Sequence, residues 1–315
     1  MATEKDEPMA LILSLYDDDD AEDRFCKNLM QALVDGSRTP SQIATDLDAW
    51  VVKESSDRLQ KFSDQPDLIQ KDGNGHVLRT SMPNASGYVE RFFQSFPSLC
   101  SVFPPHHGGQ TRIIQFLEAL LAIPDHEAPD SFAEGGSHKD VNKITLWSDR
   151  GYSTEYLRVG ADAIGYSGSG IETPDSESET RWRNYQSTIA RITLTGFSEC
   201  GFTSALRDIL PSGKKYPSFN VRVASKPDVI GGHILAAAQW LIWPDEARYV
   251  YQQCRKKEKT DKKNPRDTWS MENWRIWKAQ FQLFAWDERV DPRARDVAKK
   301  AIDRIIEVEE KDGSS

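Results

Sequence analysis

Between Gly231 and Glu310 the apolar residues recur at intervals of three and four, and this periodicity admits little besides packed helices. The stretch carries six of the nine tryptophans. Trp274, Trp277, Phe281 and Phe284 share one helix face, Ile276 and Leu283 widen it, and Arg275, Lys278 and Gln282 keep another side wet. Ile234, Leu235, Ala238, Leu241 and Ile242 cover much of a second helix's circumference, which therefore needs neighbours on several sides. Pro244, followed by Asp245 and Glu246, starts a third helix with the stripe Ala247, Val250, Tyr251 and Cys254. Asp291-Pro292 starts a fourth, running from Ala294 to Val308. These patterns predict an all-α fold class: one large multi-helix bundle with at most a minor short strand element. Its core centres on Trp240, Trp243, Trp274, Trp277, Phe281 and Phe284.

The rest of the chain reads the same way. Residues 1–16 are expected to be partly disordered, with Pro8 opening a short apolar helix as far as Tyr16. Residues 17–311 then form a single helical domain, with an inner division into 17–124 and 139–311. Asp17 to Asp20 suit a helix N-terminus better than a metal, because consecutive carboxylates cannot all face one ion. Thr39-Pro40 starts a long helix with Ile43, Leu47, Trp50 and Val51 buried. An aromatic helix from Tyr88 to Phe96 should end near Pro97, and another runs from Arg112 to Ala122. Residues 124–140 read as an exposed connection, and 143–147 as a short helix or strand. The acids of 174–180 precede a helix bearing Trp182, Tyr185, Ile189 and Ile192, and 200–210 continues in helical register. Phe219 to Val223 is the fair strand candidate.

Each stretch that hints at chemistry fails on its own spacing. Residues 70–81 imitate a calcium loop, but Gln70 and Ser81 stand where its first and last acids belong, so a plain turn is expected there. Gly165 to Gly170 matches neither phosphate-loop pattern. His106 and His107 lie in the run 103–109, with two prolines and two glycines, and no acid stands at helical spacing to support a metal or acid–base role. No cofactor is expected, and no catalytic residue can be named.

Net charge decides against some partners. At −9 the chain is poorly suited to nucleic acid or an acidic membrane surface. The balance reverses at residues 255–266, where Arg255, Lys256, Lys257, Lys259, Lys262, Lys263 and Arg266 face only Glu258 and Asp261. A solvated, mobile loop without packing of its own is expected there; the sharper reading is a patch for an anionic partner. The apolar run Met9 to Leu15 is too short and wrongly flanked to be expected to act as a signal peptide or membrane span, and Cys26, Cys100, Cys200 and Cys254 have no pairing pattern. A cytoplasmic or nuclear protein with buried, reduced thiols is the resulting expectation.

Four runs occur in a telling order: 110–124, Trp182-x-Asn184 ahead of Ala190-Arg191-Ile192, Ala236 to Trp240, and Trp274-x-x-Trp277-Lys278 followed by Phe281. In this order the chain resembles the fungal domain-of-unknown-function family numbered 3632, over about Thr39 to Glu310. The resemblance implies a helical intracellular protein and supplies no activity, catalytic residue or cofactor. The expected function is a non-catalytic helical interaction or small-ligand-binding protein with a protein or small-molecule partner. The alternatives are an enzyme whose site is dispersed along the sequence, and a regulatory protein using the basic loop.

Overall fold

The computed structural model describes residues 7–13, 20–65, 82–132, 141–147, 157–158, 171, 173–211, 228–264 and 266–313, with isolated positions between 65 and 82. Nine α-helices and one two-stranded sheet lie among the described residues, so the fold is mostly helical. The chain divides into two compact units. One comprises Met1–Ile12, Pro97–Thr111 and Leu157–Ser315, the other Leu13–Phe96 and Arg112–Tyr156.

The second of these units begins with α1 (Ala21–Asp35) and α2 (Pro40–Asp64). Asp20 caps α1 by accepting the amides of Glu22 and Asp23 at 2.7 and 3.1 Å, which satisfies donors that the helix itself leaves unpaired. Gly36 ends α1 at φ 67°, a conformation cheap only for glycine. Thr39 and Gln42 form a reciprocal capping box at the start of α2, with Pro40 at the first helical position. Leu29, Leu33, Ile43, Leu47 and Val51 are buried from these two helices. Phe92, Phe93 and Phe96 of α3 (Ala85–Cys100) join Phe116 of α4 (Gly108–Ala122), with ring centroids 5.2 to 6.2 Å apart.

Three local expectations are corrected. Helix α3 does not stop at Pro97 but runs through it to Cys100. A proline inside a helix costs about 3 kcal/mol, and burial of Phe92, Phe93, Phe96, Leu99 and Cys100 outweighs that. Residues 124–140 are not simply an exposed connection, since β1 (Glu127–Phe132) pairs antiparallel with β2 (Val141–Thr145), from Glu127 opposite Thr145 to Phe132 opposite Val141. Pro129 disguises the strand, and it sits beside the register shift where a missing N–H does least harm. Residues 8–13 do not form the short helix expected from Pro8; this segment instead ties Met9 N–H to the Val102 carbonyl at 2.8 Å.

The other unit is organised around α5 (Glu177–Thr195). Trp182, Tyr185, Ile189 and Ile192 are buried on it, and so are Asn184, Gln186, Ser187 and Thr188. The helices α6 (Asp228–Ala237), α7 (Pro244–Arg255), α8 (Met271–Trp286) and α9 (Pro292–Asp312) complete it. Short tight turns of helix at 201–203 and 205–207 replace the continuous register expected over 200–210. Caps again mark the starts: Ser176 for α5, Ser270 for α8 and Asp291, followed by Pro292, for α9. Trp240, Trp274, Trp277, Phe281 and Phe284 are fully buried. Trp243, expected among them, is only half-buried, and Leu283 is 39% exposed and does not widen the buried face.

A buried carboxylate joins the starts of α5 and α9. Glu179 accepts the Asp175 amide at 2.7 Å and lies 3.5 Å from Arg293, which also contacts Asp175 and Asp291, each at 2.6 Å. Burial pushes the Glu179 carboxyl up from its ordinary 4.5, and the neighbouring carboxylates of Asp175 and Asp291 add to this against the Asp175 amide and Arg293. A raised acid is one whose protonated form the fold favours, so its contribution to stability falls as pH rises from the unfolded value of 4.5 through the folded one and is constant above. Glu179→Gln removes that slope. Urea unfolding across the mildly acidic to neutral range should show the variant gaining on the parent chain as pH rises; a difference constant with pH would contradict the raised value.

Candidate functional site

The run 103–109 is where the structure departs most from what its sequence suggests. Pro104 to His107 close a tight turn, with His107 N–H donating to the Pro104 carbonyl at 3.0 Å. Proline at the second position and a positive φ at the third give it the form of a type II turn, whose third position favours glycine or asparagine. Here that residue is His106, at φ 57°. A left-handed conformation costs a side-chain-bearing residue about 1 kcal/mol or more. Glycine is reserved for Gly109 instead, where an added Cβ would lie 2.1 Å from the Phe103 ring.

The strained turn delivers the His106 ring to two residues at the start of α7. Its Nε2 is 3.2 Å from Oε1 of Glu246, and its ring centroid is 3.7 Å from that of Trp243. Glu246 is 3% exposed, while the His106 side chain keeps 34% of its surface in water. A carboxylate in the first turn of a helix is favoured by the unpaired amides there. Because a carboxylate only accepts, the hydrogen bond places a proton on His106 Nε2, and in the neutral ring Nδ1 is then the acceptor. Among the described residues no hydrogen bond to His106 Nδ1 is found.

Behind the turn lies a buried polar network. Gln110, fully buried near the start of α4, accepts the His106 amide at 3.2 Å, the Ser187 hydroxyl at 3.2 Å and Arg191 Nη1 at 3.5 Å, all on Oε1. Its Nε2 donates to the Phe103 carbonyl at 3.1 Å. Arg191 Nη2 donates to Thr111 Oγ1 at 3.2 Å, so a guanidinium stands beside the strained turn. Trp243 Nε1 donates to Gln239 at 3.3 Å. The arrangement therefore combines an imidazole acceptor, a cation and half of an indole face, held from behind by side chains that cannot easily move.

The two histidines do not act together. His107 stacks on Phe103 with centroids 5.2 Å apart, and its Nδ1 accepts the Gly109 amide at 2.9 Å, which leaves it capping α4. Among the described residues no group of three or more His, Cys, Asp and Glu side chains is placed to hold a metal ion.

The basic run is held more firmly than expected. The Lys257 and Glu258 carbonyls accept the amides of Met271 and Glu272 at 2.9 Å each, and Lys257 pairs with Asp267. Arg255 donates to the Asp312 carbonyl, Lys256 to Gln253 at 2.8 Å, and Arg266 lies over the Phe202 ring at 5.3 Å. The run is thus a folded connection into α8, correcting the expectation of a loop without packing of its own. All seven of its cations are exposed at the surface. The calcium-like turn at 70–81, the glycines 165–170 and the strand candidate 219–223 lie wholly or mostly outside the described residues.

Glu246, Gln110, Ser187 and Arg191 escaped sequence reading as site residues. The usable signal was the Pro-Pro-His turn, with histidine where glycine is the unstrained choice. Among the described residues no helix is long and apolar enough to cross a membrane. A family model described as "Protein of unknown function (DUF3632)" matches residues 95–281, which contain all four runs that carry the resemblance. No curated protein and no solved structure matches the chain.

Proposed function

We propose, from the premise that the chain belongs to the family described as Protein of unknown function (DUF3632), that it is a small-ligand-binding protein taking an organic carboxylate at the His106 turn. The observation that carries this is His106 itself: an exposed imidazole kept at φ 57°, fixed by buried Glu246 and packed on Trp243. Strain held in an exposed polar residue, as here, is a pointer to function. Arg191 supplies charge for a carboxylate, His106 a directional polar contact, and Trp243 a wall for an apolar body. A reducing, cytoplasmic setting fits the four buried cysteines, whose thiols burial pushes up to about 12 for Cys200 and Cys254.

The test exploits the backbone. His106→Gly suits the positive φ but leaves buried Glu246 without its imidazole partner, so the variant should keep the far-ultraviolet spectrum of the parent chain while losing about 1 to 3 kcal/mol of stability. Titration with benzoate, followed by imidazole NMR and tryptophan fluorescence, should shift the His106 resonances in the parent chain. Affinity should fall at least about tenfold, or 1.4 kcal/mol, in both His106→Gly and Arg191→Gln. Unmoved His106 resonances, or equal affinity in all three proteins, would remove the reading.

A dispersed-site enzyme is the second reading, favoured by the same pair of residues. A histidine oriented by a buried carboxylate, with its other nitrogen open, is the arrangement of a general base. In that case Glu246→Gln would lower turnover while leaving benzoate affinity nearly unchanged.

A further inference from the structure

We infer that Trp269, Tyr249 and Glu199 form a binding site for an N-methylated organic ammonium ion. Trp269 stands immediately before Ser270, the cap of α8, and its inner side is fixed. The ring packs on Trp240 and Trp277 with centroids 5.8 and 6.1 Å away, and a Cβ added at Gly201 would lie 2.2 Å from it. Its Nε1 donates to Glu199 Oε1 at 3.0 Å, and the same oxygen accepts the Gly201 amide at 2.9 Å. Tyr249 lies on α7 but off its buried stripe, and sets a second ring at 87° to the indole, with centroids 6.5 Å apart. Both rings are half-buried and Glu199 is exposed, so the group reaches the surface. Burial pushes the Tyr249 hydroxyl up to about 12, and the charge of Glu199 adds to this, so the phenol stays neutral beside the carboxylate.

Glu199 decides the sign of the ligand. Among the described residues no cation pairs with it and none lies over Trp269 or Tyr249, whereas the neighbouring Phe202 ring already carries Arg266 at 5.3 Å. Ring faces attract cations, and an indole that donates to an anion is polarised towards a more negative face. The net charge of −9 favours the approach of a cation as well. Chemical class follows from how few acceptors remain. Glu199 Oε1 already serves two donors, which leaves Oε2 and the Tyr249 hydroxyl. Calcium takes about six to eight oxygen ligands, and a primary ammonium brings three N–H groups that each need an acceptor. A trimethylated ammonium donates no hydrogen bond; two ring faces and one nearby carboxylate satisfy it. The corner shares no residue with the His106 turn, so the two sites stand or fall separately.

The full chain is titrated with choline and, separately, with 3,3-dimethylbutan-1-ol, which has the same shape without the charge. The readout is the indole N–H resonance of Trp269, assigned by its loss in Trp269→Phe. Choline should shift this resonance saturably, and the neutral analogue should bind at least about tenfold more weakly. Glu199→Gln keeps an acceptor for the indole and for the Gly201 amide, so its far-ultraviolet spectrum should match that of the parent chain. Its choline affinity should nevertheless fall at least about fivefold, with affinity for the neutral analogue unchanged. Tyr249→Leu should weaken choline by a similar factor. A short peptide containing trimethyllysine, run beside choline, identifies the source: tighter binding of the peptide assigns a modified protein, tighter binding of choline a free small molecule, and either supports the site. Three results would overturn it: an indole resonance unmoved by about 50 mM of either ammonium ligand, equal affinity for choline and its neutral analogue, or full choline affinity in a folded Glu199→Gln.

Discussion

Trp277→Ala is expected to destabilise the protein by about 3 to 5 kcal/mol, a large share of the 5 to 15 kcal/mol margin of a typical domain. Trp277 is fully buried on α8, its ring edge-on to Trp269 with centroids 6.1 Å apart. Its Nε1 donates to the Leu206 carbonyl at 2.8 Å. Truncation therefore opens a cavity and strands a buried carbonyl together. Trp277→Phe keeps most of the volume and loses the hydrogen bond, so it should cost less, about 1 to 3 kcal/mol. Urea unfolding of both variants measures the two contributions. A loss below about 1 kcal/mol in Trp277→Ala would mean that the site collapses around the deletion, contrary to a tightly packed core.

Gln186→Leu should cost about 2 to 5 kcal/mol although it replaces a polar side chain by an apolar one of similar size. Gln186 is fully buried on α5, and its Oε1 accepts both Trp240 Nε1 and the Ala205 amide, each at 2.8 Å. Its Nε2 donates to the Thr203 carbonyl at 3.1 Å. Leucine leaves these partners buried and unpaired. Trp240→Phe removes one of them, so in the Gln186→Leu background it should cost less than it does alone. A double-mutant cycle should give a coupling of about 1 kcal/mol or more. Additivity within about 0.5 kcal/mol would show that the indole hydrogen bond contributes nothing measurable.

The same residues show how unevenly the sequence discloses the molecule. That Trp274 and Trp277 lie on one helix, and that Trp240 belongs with them in the core, could be read from spacing, because side chains three and four apart share a face whatever the helix packs against. The partners of their indoles could not. Gln186, Leu206 and Glu309 bond to these rings across 54, 71 and 35 residues. No periodicity reports that kind of contact. Trp243 shows the limit from the other side: spacing alone set it with the core, but it stands ahead of Pro244, outside the helix, where its ring meets His106.

What the sequence determined by itself is local. Thr39 with Pro40, Pro244 with its two acids, and Asp291 with Pro292 start helices because capping and proline's fixed φ act within a single turn of chain. The mostly helical fold follows from those starts and the stripes between them. Only the tertiary structure decided where local preference would be overruled: Pro97 inside a helix, Pro129 inside a strand, His106 where glycine would relax. Each costs on the order of 1 to 3 kcal/mol locally, which burial elsewhere can offset but a short window of sequence cannot register. The candidate site belongs to this second class, since His106 and Glu246 are 140 residues apart and meet only when the unit that contains both has folded.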